Sequence, residues 1–143
     1  MYKKILVALE NSRSDRALLS HIAELAPLHR SEVLLVHVAD GFAARNYDTM
    51  ELAESDEMRS DRAYLETSAE QLRGHGVAVA TRLALGDPAS GILASAADEH
   101  CDLIAMTTHG HRLLGDIIYG STINEVRHKA GVPLLLVRAH KDL

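Results

Sequence analysis

Apolar positions along the chain switch repeatedly between continuous runs and helical spacing. "KKILVAL" (Lys3–Leu9) carries a continuous, non-alternating apolar run, Ile5–Leu9, the pattern of a strand covered on both faces in a parallel sheet. Asn11 and Ser12 then offer turn and N-cap chemistry. Leu18, Ile22, Leu25 and His29 follow on one face of a helix predicted from about Ser14 to His29. "EVLLVHVAD" (Glu32–Asp40) repeats the buried-strand pattern, with His37 as its interior polar member. The stretch from Gly41 to Arg62 is polar and weakly patterned. From Met58 the positions Leu65, Ala69 and Leu72 take up helical spacing, and this second helix stops at Gly74–Gly76.

"VAVATRLALG" (Val77–Gly86) places Val77, Val79, Thr81, Leu83 and Leu85 on one side, as a half-buried strand does. In "GDPASGILASAADEH" Asp87 is an N-cap and Pro88 occupies the first helical position, where a missing N–H is harmless. "CDLIAMTT" (Cys101–Thr108) is a fourth buried strand, "STINEVRHKAG" (Ser121–Gly131) a fourth helix, and "VPLLLVRAH" (Val132–His140) a fifth strand. Pro133 cannot donate to a ladder, which puts that last strand at a sheet edge. Strands and helices thus alternate throughout. With right-handed crossovers they give an α/β fold, a doubly wound, open, parallel five-stranded sheet with about four helices in a single domain, residues 1–143. Ligands of such sheets sit beyond the carboxyl ends of the strands, where the strand order reverses. For the order 3-2-1-4-5 that crevice lies between Leu9–Glu10 and Met106–Gly110.

Composition narrows the function. The chain has 143 residues, 47% of them hydrophobic, with one Phe, four Tyr and no Trp, so its core is built of Leu, Ile, Val and Ala. The net charge is −5, and no Lys/Arg run is interleaved with aromatic residues, which argues against nucleic acid and anionic membrane as partners. The apolar run Ile5–Leu9 is too short for a signal-peptide core or a membrane span. Cys101 stands alone, reads as interior packing, and excludes an intrachain disulfide; a cytoplasmic location is expected. The nine histidines include no H-E-x-x-H, and only His109 and His111 are close, so no dedicated transition-metal site is expected. His37 reads as a hydrogen-bonded interior histidine rather than a catalyst. Ser121 lacks the G-x-S-x-G surroundings of a nucleophile. Nothing in the spacing specifies a general base, so fast hydrolysis is not expected.

The stretch "MTTHGHRLLGDIIYGSTINEVRH" (Met106–His128) holds the remaining chemistry. Gly110 and Gly115 have Walker spacing, but Asp116 stands where the phosphate-binding lysine belongs, and the Walker reading fails. Gly120, followed by Ser121 and Thr122, can open a helix whose N–H groups and hydroxyls meet an anion, with Gly110 approaching from the other side and His109, His111 and Arg112 adding donors. The same spacing also suits a strand-ending glycine and an ordinary helix cap. Spacing leaves both readings open.

"ILVALENS", "LLVHVAD", "GDPASGILASAADEHCDLIAMTTHG" and "GSTINEVRHKAGVPLLLVR" together resemble the universal stress protein family over nearly the whole chain. Only about Gly41 to Arg62 carries no specific likeness. The resemblance implies a Rossmann-like fold with strand order 3-2-1-4-5 and, in many members, ATP binding through a G-x2-G-x9-G-[ST] motif. On that motif the second glycine falls on Gly110 and the final pair on Gly120–Ser121, while the first glycine falls on Thr107. The acidic residue after the first strand, usually Asp and tied to ribose or metal, is here Glu10. Val38 matches the position whose backbone reads adenine. The implied site comprises Ala8, Leu9, Glu10, Val38, Met106, Thr107, His109, Gly110, His111, Arg112, Gly120, Ser121 and Thr122, with Glu10 able to meet a Mg²⁺ or Mn²⁺ carried by phosphates. The family likeness also implies a homodimer through the edge strand Val132 to Arg138. The expected function is an adenine-nucleotide-binding, dimeric stress-response module with a protein partner yet to be named. The alternative is a member of the same fold that binds no nucleotide and acts as a protein–protein interaction module.

Overall fold

The computed structural model describes residues 1–39, 56–109 and 114–139, with backbone alone for 109 and 114–119. Among the described residues nine elements alternate: β1 (Lys4–Ala8), α1 (Asp15–His29), β2 (Glu32–Ala39), α2 (Asp56–Arg73), β3 (Ala78–Leu85), α3 (Pro88–Asp98), β4 (Leu103–His109), α4 (Leu114–Lys129) and β5 (Leu134–Ala139). The strands form a five-stranded sheet in the order β3-β2-β1-β4-β5, and all four neighbouring pairs are parallel. The fold class is the one expected from the alternation of elements, and the strand order is the one that the family resemblance implies.

Side-chain alternation along the central strand divides the interior into two layers. Ile5, Val7 and Leu9 face Leu18, Ile22 and Ala26 of α1 and Leu65, Ala69 and Leu72 of α2. Leu6 and Ala8 face Ala89, Ile92 and Ala96 of α3 and Val126 of α4. Both faces of β1 are therefore covered, which is why its sequence is an unbroken apolar run.

The edges behave differently. On β3, Val79 and Leu83 pack against the first layer, whereas Thr81 and Leu85, expected on the same covered side, are exposed. At the other edge Pro133 precedes β5, and its carbonyl accepts the Ile104 N–H at 3.0 Å, so its missing donor disturbs no ladder bond. Helix α3 starts as predicted: the Asp87 carboxylate accepts the Ser90 N–H at 2.9 Å and Pro88 opens the helix. Gly91 lets α3 lie close on the end of β2. A Cβ there would come within 2.8 Å of Val38 Cγ2.

Two helix starts depart from expectation. Helix α1 begins at Asp15 with Ser14 as the N-cap residue, which makes no side-chain capping bond, so neither Asn11 nor Ser12 caps it. Helix α4 begins at Leu114 rather than at Ser121. Gly120 consequently lies inside α4, six residues beyond its start, and not at its mouth. Propagating a helix adds one hydrogen bond per residue, and a single interior glycine opposes it by only about 1 kcal/mol, so the helical stretch runs through Gly120. An added Cβ at Gly120 meets nothing outside the helix backbone within 4 Å. Gly120→Ala is therefore expected to stabilise the protein by about 0.5–1 kcal/mol in urea unfolding. A loss of stability would place Gly120 outside regular helix.

Candidate functional site

Strand order reverses between β1 and β4, and a network of polar side chains surrounds the loop that leaves β1 there. The chain leaves β1 through Leu9, whose N–H bonds the Val36 carbonyl at 2.8 Å, and turns at Asn11, held at φ 61. Asparagine tolerates this left-handed conformation better than most residues. Three successive N–H groups then point inward, from Glu10 (2.9 Å), Asn11 (2.9 Å) and Ser12 (3.3 Å), and the Asp15 carboxylate accepts all three. A fourth donor, the Tyr64 hydroxyl of α2, reaches the same carboxylate at 2.6 Å. Asp15 is completely buried.

Burial pushes the Asp15 carboxyl above the usual carboxylate range, while the Glu10 N–H, the Tyr64 hydroxyl and the Ser12 N–H pull it back down. Burial and the bond to Asp15 raise the Tyr64 phenol. The loop has a second tie to α2: Asn11 Nδ2 donates to Asp61 Oδ1 at 2.8 Å, and that oxygen lies 3.6 Å from His37 Nε2. His37 Nδ1 is 2.8 Å from the Leu9 carbonyl oxygen. A carbonyl only accepts, so Nδ1 carries the proton. His37 is thus the hydrogen-bonded interior residue expected, and it braces the end of β1.

Glu10 emerges half-buried from this loop. Its Oε2 accepts two hydroxyls, Ser14 Oγ at 2.5 Å and Thr107 Oγ1 at 3.0 Å. Thr107, on β4 opposite Val137 of β5, is fully buried. Ala8, Leu9 and Met106 are buried beside them, and Val38 is half-buried at the end of β2. The structure therefore brings together Glu10 and Thr107 of the predicted site, while Leu9 is packed in the layer against α1 and α2 and Ala8 and Met106 in the layer against α3 and α4. His109 ends β4. Gly110, His111 and Arg112 lie outside the described residues.

The predicted helix-mouth cluster is not reproduced. Gly120 lies within α4, and beyond it Ser121 is exposed while Thr122 is buried on the face of α4 that carries Val126, so the two residues lie on different sides of the helix. Asp15, Ser14, Asp61 and Tyr64 are polar site components that the sequence reading missed. Asp15 carried a weak signal as the acid at the start of a predicted helix, but Tyr64 and Asp61 lie on a helix remote in sequence. Among the described residues no three His, Cys, Asp or Glu side chains come together as a metal site. Cys101 is buried and its thiol is pushed up to about 11, chiefly by desolvation, consistent with a packing role. A groove of about 490 Å³ between α1 and α2, lined by Arg16, Ala23, Leu72 and His75 among others, lies along the helices and holds none of these groups.

The family model described as "Universal stress protein family" matches residues 1–138. The chain is similar to the universal stress protein MJ0577 of Methanocaldococcus jannaschii, 29% identical over 157 residues and 96% of each chain. The solved structure of MJ0577 matches with a TM-score of 0.83 at 28% identity, covering 99% of both chains. A universal stress protein of Thermus aquaticus is 32% identical over 143 residues, 96% of this chain and 100% of the relative. The fold is also shared with the universal stress protein of Archaeoglobus fulgidus in complex with dAMP, with a TM-score of 0.69 and 22% identity over 95% of this chain and 98% of that one. No helix among the described residues is long and apolar enough to cross a membrane.

Asp15 gives this site a pH signature. Its folded-state pKa lies above its unfolded value, so its own contribution to stability is present in acid and is lost as pH rises through the folded value. Tyr64 works against that loss by favouring the carboxylate form. Tyr64→Phe is expected to cost about 1–2 kcal/mol at pH 7 and less near pH 4, measured by urea unfolding at both. Equal losses would mean that Tyr64 acts through packing alone.

Proposed function

The chain belongs to the universal stress protein family, and on that premise we propose that the crevice between β1 and β4 binds an adenine nucleotide, ATP included, whose occupancy rather than hydrolysis is the protein's output. The observation that carries this reading is Glu10, a half-buried carboxylate presented at the point where the strand order reverses. Doubly wound sheets hold their ligands there. The half-buried Val38 at the neighbouring strand end, where α3 approaches closely at Gly91, suits the flat edge of a base. The dAMP held by the A. fulgidus protein supports an adenine nucleotide as the ligand class. Mg²⁺ or Mn²⁺, where it takes part, arrives with the phosphates. The protein acts in the cytoplasm, as a homodimer joined through the β5 edge, where Leu136 is 40% exposed. An apolar open edge is otherwise a liability for aggregation.

A second reading has its own support. Thr107 fills the position of the first motif glycine, and Gly120 lies within α4 instead of opening it. Both features suit a nucleotide-free module that acts by binding another protein.

Isothermal titration of the purified chain with AMP and with Mg-ATP separates the two, with the mass of the same sample read by light scattering. Saturable heat at micromolar to millimolar nucleotide, on a particle of twice the chain mass, is the expected result. The absence of heat with both nucleotides would favour the interaction module, and a monomer at all concentrations would remove the dimer.

A further inference from the structure

A side-chain hydrogen bond ties the strands flanking the reversal point across it, from Thr107 on β4 to Glu10 after β1, at 3.0 Å. A carboxylate only accepts, so the Thr107 hydroxyl donates. Ser14, at the start of α1, donates its hydroxyl to the same Oε2 at 2.5 Å. Two donors from two separate elements thus converge on one oxygen, and one of them is fully buried and fixed in a central strand of the sheet. We propose that Thr107 is a positioning residue that sets what Glu10 recognises: a fixed acceptor for the neutral hydroxyls of a nucleoside's ribose, not a ligand for a divalent cation. This inference rests on the nucleotide reading above.

The argument is electrostatic and geometric. Mg²⁺ and Ca²⁺ require carboxylate lone pairs aimed at the ion at roughly 2.0–2.6 Å. At Oε2 an approaching cation meets the positive ends of two O–H dipoles and must displace them to gain its place. A sugar hydroxyl makes no such demand. It brings its own proton, adds a charge-assisted hydrogen bond to a carboxylate already held in place, and leaves the Thr107 and Ser14 bonds intact. The β-branched threonine is stiff about χ1, which fixes the direction of its donor. The two departures from the family motif, Glu10 for Asp and Thr107 for Gly, are therefore partners: the longer acid reaches the hydroxyl that the replaced glycine lacks.

The test is titration calorimetry with AMP and with 2′,3′-dideoxyadenosine 5′-monophosphate, each with and without Mg²⁺, on the wild type, Thr107→Val, Thr107→Ser and Ser14→Ala. The wild type is expected to prefer AMP by roughly tenfold, with Mg²⁺ changing AMP affinity by less than about twofold. Thr107→Val should cut the preference to about two- to threefold while leaving dideoxy affinity unchanged, and Thr107→Ser should retain the preference. A merely structural role for Thr107 would lower both affinities together. Ser14→Ala, which removes the second donor from a residue that makes no capping bond, should also reduce the preference and serves if Thr107→Val does not fold. A wild type that binds AMP while Thr107→Val or Ser14→Ala keeps full discrimination overturns the positioning role, as does a many-fold gain in AMP affinity from Mg²⁺. A wild type that binds neither nucleotide overturns the nucleotide reading and this inference with it.

Discussion

One buried carboxylate holds the loop that leaves β1 in shape. Asp15 collects three consecutive backbone N–H groups and a phenol, and it is completely removed from solvent. Each donor left without its acceptor in such a place would cost about 1–3 kcal/mol, so the loop from Glu10 to Ser12 can hardly adopt another course. Through Tyr64 the same group fixes the position of α2 against β1, and Asn11 with Asp61 adds a second tie. The direction in which Glu10 leaves the sheet follows from these constraints.

What the sheet contributes is placement. Two hydrophobic layers, one on each face of β1, set the strand rigidly, and the reversal puts between β1 and β4 the gap that doubly wound sheets leave at the carboxyl ends of their strands. Thr107 and Glu10 meet across that gap. In a strand packed on both faces a polar side chain needs a partner, and Glu10 supplies it. On the motif that the family resemblance implies, a β-branched residue at the first glycine and a lengthened acid each, read singly, count against nucleotide binding. In the structure the two are hydrogen-bonded to each other.

The sequence was most informative where the physics is local or periodic. The unbroken runs of β1, β2 and β4, the Asp87–Pro88 helix start and the edge position of Pro133 all follow from burial on two faces, capping and a missing donor. It misled where two local signals competed. Gly120–Ser121 has the composition of a helix opening, yet α4 already begins at Leu114, and one glycine does not interrupt it. Asn11 and Ser12 look like caps, but the acid that captures this loop's N–H groups is Asp15, within the helix that follows. Tyr64 and Asp61 carry no sequence signal of their role, because their partners are reached only through the packing of α2 on the sheet.

The central claim is that ligand meets protein at the β1–β4 reversal. Amide chemical shifts of isotope-labelled protein, recorded as AMP is added, test it most directly. The account predicts saturable changes concentrated at Leu9 to Ser12, Val38 and Thr107, with the α1–α2 groove around Arg16, Ala23 and His75 unaffected. Changes centred on that groove, with Glu10 and Thr107 silent, would contradict it.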